Sequence, residues 1–177
     1  MKNFEVIDHQ VVFSGYLMEV YQDKIQFPGG LVANREKIYK RHEASAIAAI
    51  DPEGKMLFVE QYRYGTDQVM LEVPAGLVDP GEDPKTCAER ELEEETGWKS
   101  NKTSFLFEYY VSPGYCSEKI YMYLCQDLTP SHQHLDQDEF LEIRRFTVDE
   151  ALEKIKRGEI TDGKTITLIY AVKNMGL

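Results

Sequence analysis

The segment from Asp83 to Gly97 constrains the fold most, because it carries the signals of one complete helix. Asp83 is a preferred N-cap residue, and Pro84 suits the first helical position, where a missing N–H costs nothing. Gly97 suits the left-handed position that follows a helix, and good helix formers fill the positions between. Ala88 and Leu92 lie one turn apart and therefore share a face. We predict a helix here that packs these two side chains into a core.

Segments rich in β-branched and aromatic residues surround this helix and predict strands. The predicted strands cover 11–21, 24–27, 31–41, 44–50, 56–64, 105–111 and 119–128, and two closing helices are predicted over 148–157 and 162–174. The turn sequence at 51–54 predicts that 44–64 forms a hairpin. Because strands and helices do not alternate regularly, we predict an α+β protein. Its N-terminal antiparallel β subdomain covers 1–41, and its second domain covers 42–177.

Composition excludes several classes of protein. The 177 residues include 20 Lys and Arg against 31 Asp and Glu, a formal net charge of −11, whereas a nucleic-acid binder needs a basic surface. No apolar run reaches the ~18 residues of a membrane span, and the charged N-terminus lacks the apolar segment of a signal peptide. The three cysteines form no CxxC pair and suit a reducing compartment. We expect a cytoplasmic protein that binds neither nucleic acid nor membranes.

The predicted helix is strongly acidic. Eight of the 31 acidic residues lie within it or just before it. Glu91, Glu94 and Glu95 converge on one face, because residues three and four apart are neighbours on a helix. Carboxylates without His or Cys suit hard ions such as Mg²⁺ or Mn²⁺, which would replace repulsion by attraction. The alternative is a solvated acidic face whose charges pair with Lys85 and Arg90.

The residues around the helix resemble a known family. Five residues separate Gly76 from Glu82, and seven separate Glu82 from Arg90-Glu91-Leu92. One residue then precedes Glu94-Glu95, and one more precedes Gly97-Trp98. This spacing matches the Nudix box without a departure, so the chain resembles a Nudix hydrolase. The resemblance implies an α/β/α sandwich with a mixed sheet, from about residue 42 to the end of the chain.

The resemblance also implies a metal site. Glu91 and Glu95 match the box glutamates that ligate the metal ions, and Glu94 is the third carboxylate of that cluster. Ala75 matches a residue whose backbone carbonyl is a further ligand. Gly76 permits close approach of the backbone to a ligand or metal.

The other box residues are expected to serve the structure. Glu82 and Arg90 match a pair that fixes the loop–helix–loop, although direct catalysis by Glu82 is the alternative, and Gly97 ends the helix. The implied chemistry is hydrolysis of a nucleoside diphosphate linked to another moiety, assisted by metal ions. That reaction needs no covalent nucleophile, so Cys87 is expected to be a packing residue.

Three features outside the box bear on the substrate. Pro113, sixteen residues after Gly97, resembles the ADP-ribose pyrophosphatase subgroup, in which this turn lies against the terminal ribose. A plain type II turn is the alternative. Arg63 ends a Gln-Tyr-Arg segment like the subgroup's and is expected to clamp the pyrophosphate, unless it merely pairs with an acidic neighbour. The acidic loop 131–139 resembles one that supplies a catalytic carboxylate on closure. Glu139 is preferred to Asp138 for that role, and a solvated loop without chemistry is the alternative.

The resemblance further implies a homodimer built on the N-terminal β region. Tyr21 and Arg41, with Phe27 and Arg35 as further candidates, would contribute to the base site of the partner, although an aromatic residue in a strand is more often part of a core. Glu43 departs from the small residues common at this point in related enzymes, which leaves the identity of the base open.

These expectations combine into one function. The chain is expected to hydrolyse ADP-ribose to AMP and ribose 5-phosphate with Mg²⁺, or Mn²⁺, as its cofactor. Another nucleotide sugar such as GDP-mannose, or a damaged nucleotide, is the alternative substrate. Two alternatives without this catalysis are a silent nucleotide-binding sensor and an acidic interaction protein whose helix binds a partner.

Overall fold

The computed structural model describes residues 3–137 and 139–177, and these form two compact units. The first unit comprises residues 3–43 and 109–119, and the second comprises 44–108 and 120–177. The strands are β1 (Glu5–Ser14), β2 (Met18–Gln26), β3 (Val32–Lys40), β4 (Ala44–Ala49), β5 (Met56–Arg63), β6 (Gln68–Glu72), β7 (Ala75–Leu77), β8 (Trp98–Tyr110), β9 (Lys119–Pro130) and β10 (Leu141–Phe146). The helices are α1 (Pro84–Thr96), α2 (Val148–Lys156) and α3 (Gly163–Asn174).

The first unit is an antiparallel sheet in the order β1-β2-β3. The segment 115–117 adds to the outer edge of β3, because the Ile38 N–H donates to the Tyr115 carbonyl at 2.7 Å and the Ser117 N–H donates to the Ile38 carbonyl at 3.0 Å. Glu43 pairs with Lys119 Nζ at 2.8 Å within this unit. These bonds explain why 109–119 belongs to the first unit, whereas the sequence assigned this segment, and residues 42 and 43, to the second domain.

The second unit contains two sheets. The mixed sheet has the order β7-β4-β9-β8, with β4 parallel to β9 and antiparallel to β7. The antiparallel sheet has the order β10-β5-β6. Since β4 is paired on both sides and covered by helices, its residues from Ser45 to Ala49 are completely buried.

Helix α1 lies on the mixed sheet and closes the core of the second unit. Asp83 caps its start by accepting hydrogen bonds from the backbone N–H groups of Lys85 and Thr86, and Gly97 ends it with φ of 69°. Ala88 and Leu92 are buried in a cluster with side chains from β4, β5 and β9. Helix α3 also packs on β4, and α2 packs on α3 and β10.

Most of the predicted elements are confirmed. The α+β class, the mixed sheet, the antiparallel N-terminal sheet and the three helices are present at the expected places. The hairpin over 44–64 is wrong, because β4 and β5 belong to different sheets and share only an isolated bridge between Ile50 and Met56. In the described part of the chain, no helix has both the length and the apolar character needed to span a membrane.

Candidate active site

Helix α1 places two of its glutamates against the sheet. Ala88 and Leu92 direct this face inward, and Glu91 and Glu95, each three residues further along, share it. Glu91 is 9% exposed and Glu95 is 3% exposed. The side chain of Glu94 is 37% exposed. The solvated acidic face that we considered therefore does not describe Glu91 and Glu95.

Strand β7 presses its backbone onto the same two carboxylates. The Ala75 N–H donates to Glu95 Oε2 at 3.0 Å. Gly76 lies so close to Glu91 that a Cβ built on the glycine would overlap the carboxylate. Gly76 is therefore required because no side chain fits between its backbone and the Glu91 carboxylate. Backbone conformation is not the reason, since its φ is not in the left-handed region.

The two buried carboxylates resist ionisation. Burial raises the pKa of Glu91 to about 7 and that of Glu95 to about 8. The negative charge of Glu91 contributes to the raised pKa of Glu95, and the charge of Glu139 contributes to the raised pKa of both. The ionised form of two buried, neighbouring carboxylates is stabilised by an added positive charge.

Arg90 holds the box together with a fork of hydrogen bonds. Its Nε and Nη2 donate to the two oxygens of Glu82 at 2.9 and 3.0 Å. Its Nη1 donates to Glu91 at 2.7 Å and to Glu94 at 2.8 Å. The bond from Arg90 lowers the pKa of Glu82, which also accepts the Asp79 N–H at 3.0 Å. The structure thus pairs Glu82 with Arg90, as the structural interpretation of these two residues expects.

The donor set fits a hard divalent cation. Glu91 and Glu95 offer carboxylate oxygens that are partly shielded from water, and such oxygens are the ligands that Mg²⁺ and Mn²⁺ prefer. The neighbouring Ala75 has its N–H engaged by Glu95. Within residues 3–137 and 139–177, no three His, Cys, Asp or Glu side chains are already grouped as a metal site, and Arg90 Nη1 bridges Glu91 and Glu94.

Arg63 lies at the end of β5 and is bound to a buried carboxylate. Its Nε and Nη2 donate to the two oxygens of Glu72 at 2.9 and 2.7 Å. Lys164 Nζ lies 2.5 Å from the same carboxylate, which is 2% exposed. Burial alone would raise the pKa of Glu72, but these two cations lower it. The charge of Glu95 also raises the pKa of Arg63, after the larger effect of Glu72. Arg63 therefore lies within electrostatic range of the acidic site.

Of the two candidate carboxylates in the acidic loop after β9, only Glu139 belongs to the described residues. The Glu139 N–H donates to the Asp136 carbonyl at 3.0 Å, and the Asp136 N–H donates to Glu139 Oε2 at 3.3 Å. The charge of Glu139 raises the pKa of Glu91 and of Glu95. Asp138, the other candidate, lies outside the described residues.

The first unit holds Tyr21 and Arg41 in contacts of its own. Arg41 donates to the Gly15 carbonyl at 3.0 Å and to Glu19 at 2.6 Å. The Tyr21 hydroxyl donates to Glu19, and its ring stacks on His9 with the centroids 4.8 Å apart. These two predicted base-site residues therefore share the carboxylate of Glu19.

Pro113 and Arg35 border a cavity of about 580 Å³ within the first unit. Pro113 lies in a turn in which the Tyr115 and Cys116 N–H groups donate to the Ser112 carbonyl at 3.1 and 2.8 Å. Tyr21, Phe27 and Arg41 do not line this cavity; its lining includes Phe4, Asp23, Lys37 and Tyr110. The structure thus brings Arg35 to Pro113 but not the other three candidates.

Sequence reasoning missed three residues that the structure places at the site. Glu72, on β6 just before the box, binds Arg63, and Lys164, on α3 far along the chain, binds Glu72. Gln133 donates to the Glu95 backbone carbonyl at 2.7 Å. No local pattern identifies these residues, because each acts through a partner that is distant in sequence.

Comparison with known proteins assigns the second unit and its surroundings to a family. A family model described as the NUDIX domain matches residues 40–169. An ADP-ribose pyrophosphatase of Bacillus subtilis (strain 168) is 35% identical over 181 residues, covering 100% of this chain and 96% of that protein. The methanol dehydrogenase activator of Bacillus methanolicus is 37% identical, covering 93% and 90% of the two chains. A GDP-mannose pyrophosphatase of Cronobacter sakazakii (strain ATCC BAA-894) is 29% identical, covering 99% and 97%.

A solved structure shows the same fold. The crystal structure of an ADP compounds hydrolase superposes with a TM-score of 0.89, covering 99% of this chain and 95% of that one. Its sequence identity to this chain is 24%, so this likeness supports the fold.

Proposed function

This chain belongs to the Nudix hydrolase family, and from that premise we propose that it hydrolyses ADP-ribose to AMP and ribose 5-phosphate. The observation that carries the proposal is the pair of buried glutamates, Glu91 and Glu95, held against the backbone of Ala75 and Gly76. Burying two carboxylates side by side is costly unless a cation compensates them. A bound divalent cation supplies Lewis-acid stabilisation of the pyrophosphate oxygens.

The residues of this chain then divide the reaction between them. Glu91, Glu95 and the Ala75 carbonyl would hold the cation, with Glu94 as the third carboxylate. Water attacks one phosphorus atom, and the bond from that phosphorus to the bridging oxygen breaks. One phosphate leaves with AMP and the other with ribose 5-phosphate. Glu139 accepts the proton that the attacking water loses.

Arg63 is proposed to bind the pyrophosphate. Its side chain is 41% exposed, and one edge of its guanidinium, Nε and Nη2, binds Glu72. Lys164 also binds Glu72, so that carboxylate retains a cationic partner if Arg63 turns to substrate. The fixed fork of Arg63 matches two phosphate oxygens.

Relatives favour ADP-ribose over GDP-mannose. The ADP-ribose pyrophosphatase of Bacillus subtilis is 35% identical to this chain, whereas the GDP-mannose pyrophosphatase of Cronobacter sakazakii is 29% identical. The turn at Pro113 is proposed to lie against the terminal ribose. GDP-mannose is the second candidate substrate, because a GDP-mannose pyrophosphatase aligns with nearly the whole chain.

The cofactor and assembly are also proposals. Mg²⁺ is the proposed cation, with Mn²⁺ as a substitute, on the basis of the all-oxygen donor set. We propose a homodimer through the N-terminal sheet, with Tyr21 and Arg41 contributing to a base site. The three cysteines are free thiols, which supports action in the cytoplasm.

The test is hydrolysis of a panel of ADP-ribose, GDP-mannose, UDP-glucose, NADH and deoxynucleoside triphosphates, each with Mg²⁺, Mn²⁺ or EDTA. ADP-ribose is expected to be the best substrate, and EDTA is expected to abolish turnover. Glu95→Gln should lower kcat by about 10²-fold or more, since it removes a charged ligand, whereas Glu89→Gln on the exposed side of α1 serves as the matched control. A different best substrate would overturn the ADP-ribose assignment, and turnover in EDTA would overturn the metal site.

A further inference from the structure

The chain after β9 crosses the C-terminal end of α1 and binds it through four hydrogen bonds. We call residues 131–134 the strap. Its bonds to α1 and the following glycine are Ser131 N–H to the Gly97 carbonyl (2.7 Å), His134 N–H to the Glu94 carbonyl (3.0 Å), Gln133 Nε2 to the Glu95 carbonyl (2.7 Å) and Ser131 Oγ to Glu93 Oε1 (2.6 Å). The last carbonyls of a helix have no partner within the helix, so the strap satisfies groups that would otherwise need water.

Gly97 allows the strap to pass this closely. A Cβ built on Gly97 would lie 3.1 Å from the Gln133 backbone nitrogen and 3.5 Å from the His132 carbonyl carbon. The glycine therefore has two uses, the left-handed end of α1 and the space for the strap. A larger residue at position 97 would therefore push the strap away from the end of α1.

Gln133 differs from the other strap residues because its side chain donates to a backbone carbonyl of α1, whereas the Ser131 side chain binds another side chain. Its amide reaches the backbone carbonyl of Glu95, the same residue whose carboxylate is buried in the acidic site. The strap then leads within a few residues to Asp136 and Glu139, which are bonded to each other. Gln133 thus joins the helix that carries the buried glutamates to the loop that carries Glu139.

We propose that Gln133 is a positioning residue that, by binding the Glu95 carbonyl, fixes the course of the loop that carries the Glu139 carboxylate. This inference rests on the proposed function, in which Glu139 accepts a proton from the attacking water. Removing the amide would loosen the loop, which Ser131 and His134 would still attach to α1. Substrate binding by Arg63 would stay intact, because Arg63 is held by Glu72 on β6. The loss should therefore fall on kcat and not on KM.

The test compares Gln133→Met, which keeps the length of the side chain but removes the donor, with Gln133→Lys, which restores a donor. Gln126→Met on β9 is the matched control. With ADP-ribose and Mg²⁺, Gln133→Met should lower kcat by about 10- to 100-fold, because small misplacements of a catalytic group have effects of that size. KM should stay within about twofold. Gln133→Lys should recover most of kcat, and Gln126→Met should match the parent protein.

A double variant identifies the route of the effect. In a Glu139→Gln background, adding Gln133→Met should lower kcat no further, since the group being positioned is already absent. Additive losses, or a lower Tm with unchanged kcat, would overturn the positioning role while leaving the proposed function intact. Full activity of Glu139→Gln would overturn both the base assignment and this inference. Absence of hydrolysis by the parent protein would instead overturn the proposed function itself, and the inference with it.

Discussion

At the scale of single residues, the acidic site is a balance between burial and charge. Glu91 and Glu95 are ionisable groups held where ionisation is costly, and Arg90 compensates only Glu91 among these two. Stability has thus been given up at a place where charge is useful for binding a cation. This balance leads to two predictions.

The first residue-scale prediction concerns pH. The carboxyls of Glu91 and Glu95 have pKa values of about 7 and about 8 in the folded chain, against 4.5 as the ordinary value. Between these values the folded chain retains protons that the unfolded chain has released. The free energy of unfolding in EDTA should therefore fall as pH rises from 5 to 8.

Glu95→Gln removes one of these titrating groups while keeping an oxygen that can accept the Ala75 N–H. At pH 8 in EDTA its Tm should exceed that of the parent by at least a few degrees, because the variant avoids the cost of ionising a buried carboxyl. Each ~1 kcal/mol of that cost corresponds to ~2–4 °C for a chain of this size. At pH 5 the two proteins should differ little. Thermal denaturation across this range measures the effect, and an equal pH slope in both proteins would contradict it.

The second residue-scale prediction concerns space at Gly76. Gly76→Ala places a methyl group on the Glu91 carboxylate, so that side chain must move. We expect kcat to fall by on the order of 10²-fold and stability to fall by about 1–3 kcal/mol from overpacking. Gly65→Ala is the control, because the new methyl meets nothing within 4 Å there. Normal activity of Gly76→Ala would show that Glu91 is not needed where the structure has it.

At the scale of elements, a buried hydrogen bond attaches α3 to the chain between β6 and β7. Thr165 Oγ1 accepts the Val73 N–H at 2.9 Å and donates to Asp162, the N-cap of α3, at 2.6 Å. The same Asp162 accepts from Lys164, which neutralises Glu72. The start of α3 therefore supports both the backbone leading to β7 and the carboxylate that holds Arg63.

Thr165→Val should break this attachment. The valine keeps the shape but leaves the Val73 N–H unpaired in a buried place, which costs about 1–3 kcal/mol. Urea unfolding measures the loss. Thr165→Ser, which keeps the hydroxyl, should lose less, and Thr167→Val on the more exposed side of α3 provides the matched control. Equal stability of Thr165→Val and Thr165→Ser would refute the role of the hydrogen bond.

At the scale of the whole molecule, the N-terminal sheet leaves many apolar side chains exposed. On β1 these are Val6, Ile7, Val11, Val12 and Phe13. An apolar edge strand of this length favours association. We therefore expect sedimentation to give twice the 20.5 kDa of one chain.

Val12→Glu should shift this equilibrium toward the monomer, because it places a charge on an exposed part of β1. Tyr170→Glu introduces the same charge on exposed α3 and should leave the assembly unchanged. A parent protein that sediments as a monomer at micromolar concentration would refute the dimer and, with it, a base site shared between two chains.

The sequence by itself determined the parts of the protein that depend on local interactions. The limits of α1 follow from Asp83, Pro84 and Gly97, because capping acts within one turn of the helix. The spacing of the box identified the family, and runs of β-branched and aromatic residues predicted β3, β4, β5 and β9. Each of these signals is read over a few neighbouring residues, so no tertiary contact was needed.

The tertiary structure decided what depends on distant partners. It separated β4 from β5 into different sheets, paired Arg63 with Glu72 and Lys164, and joined Gln133 to the Glu95 carbonyl. The sequence shows that α1 is acidic, but it does not show the burial that raises the pKa of Glu91 and Glu95. Burial is created by β7 packing on the helix, and a contact between separate elements depends on how the whole chain folds.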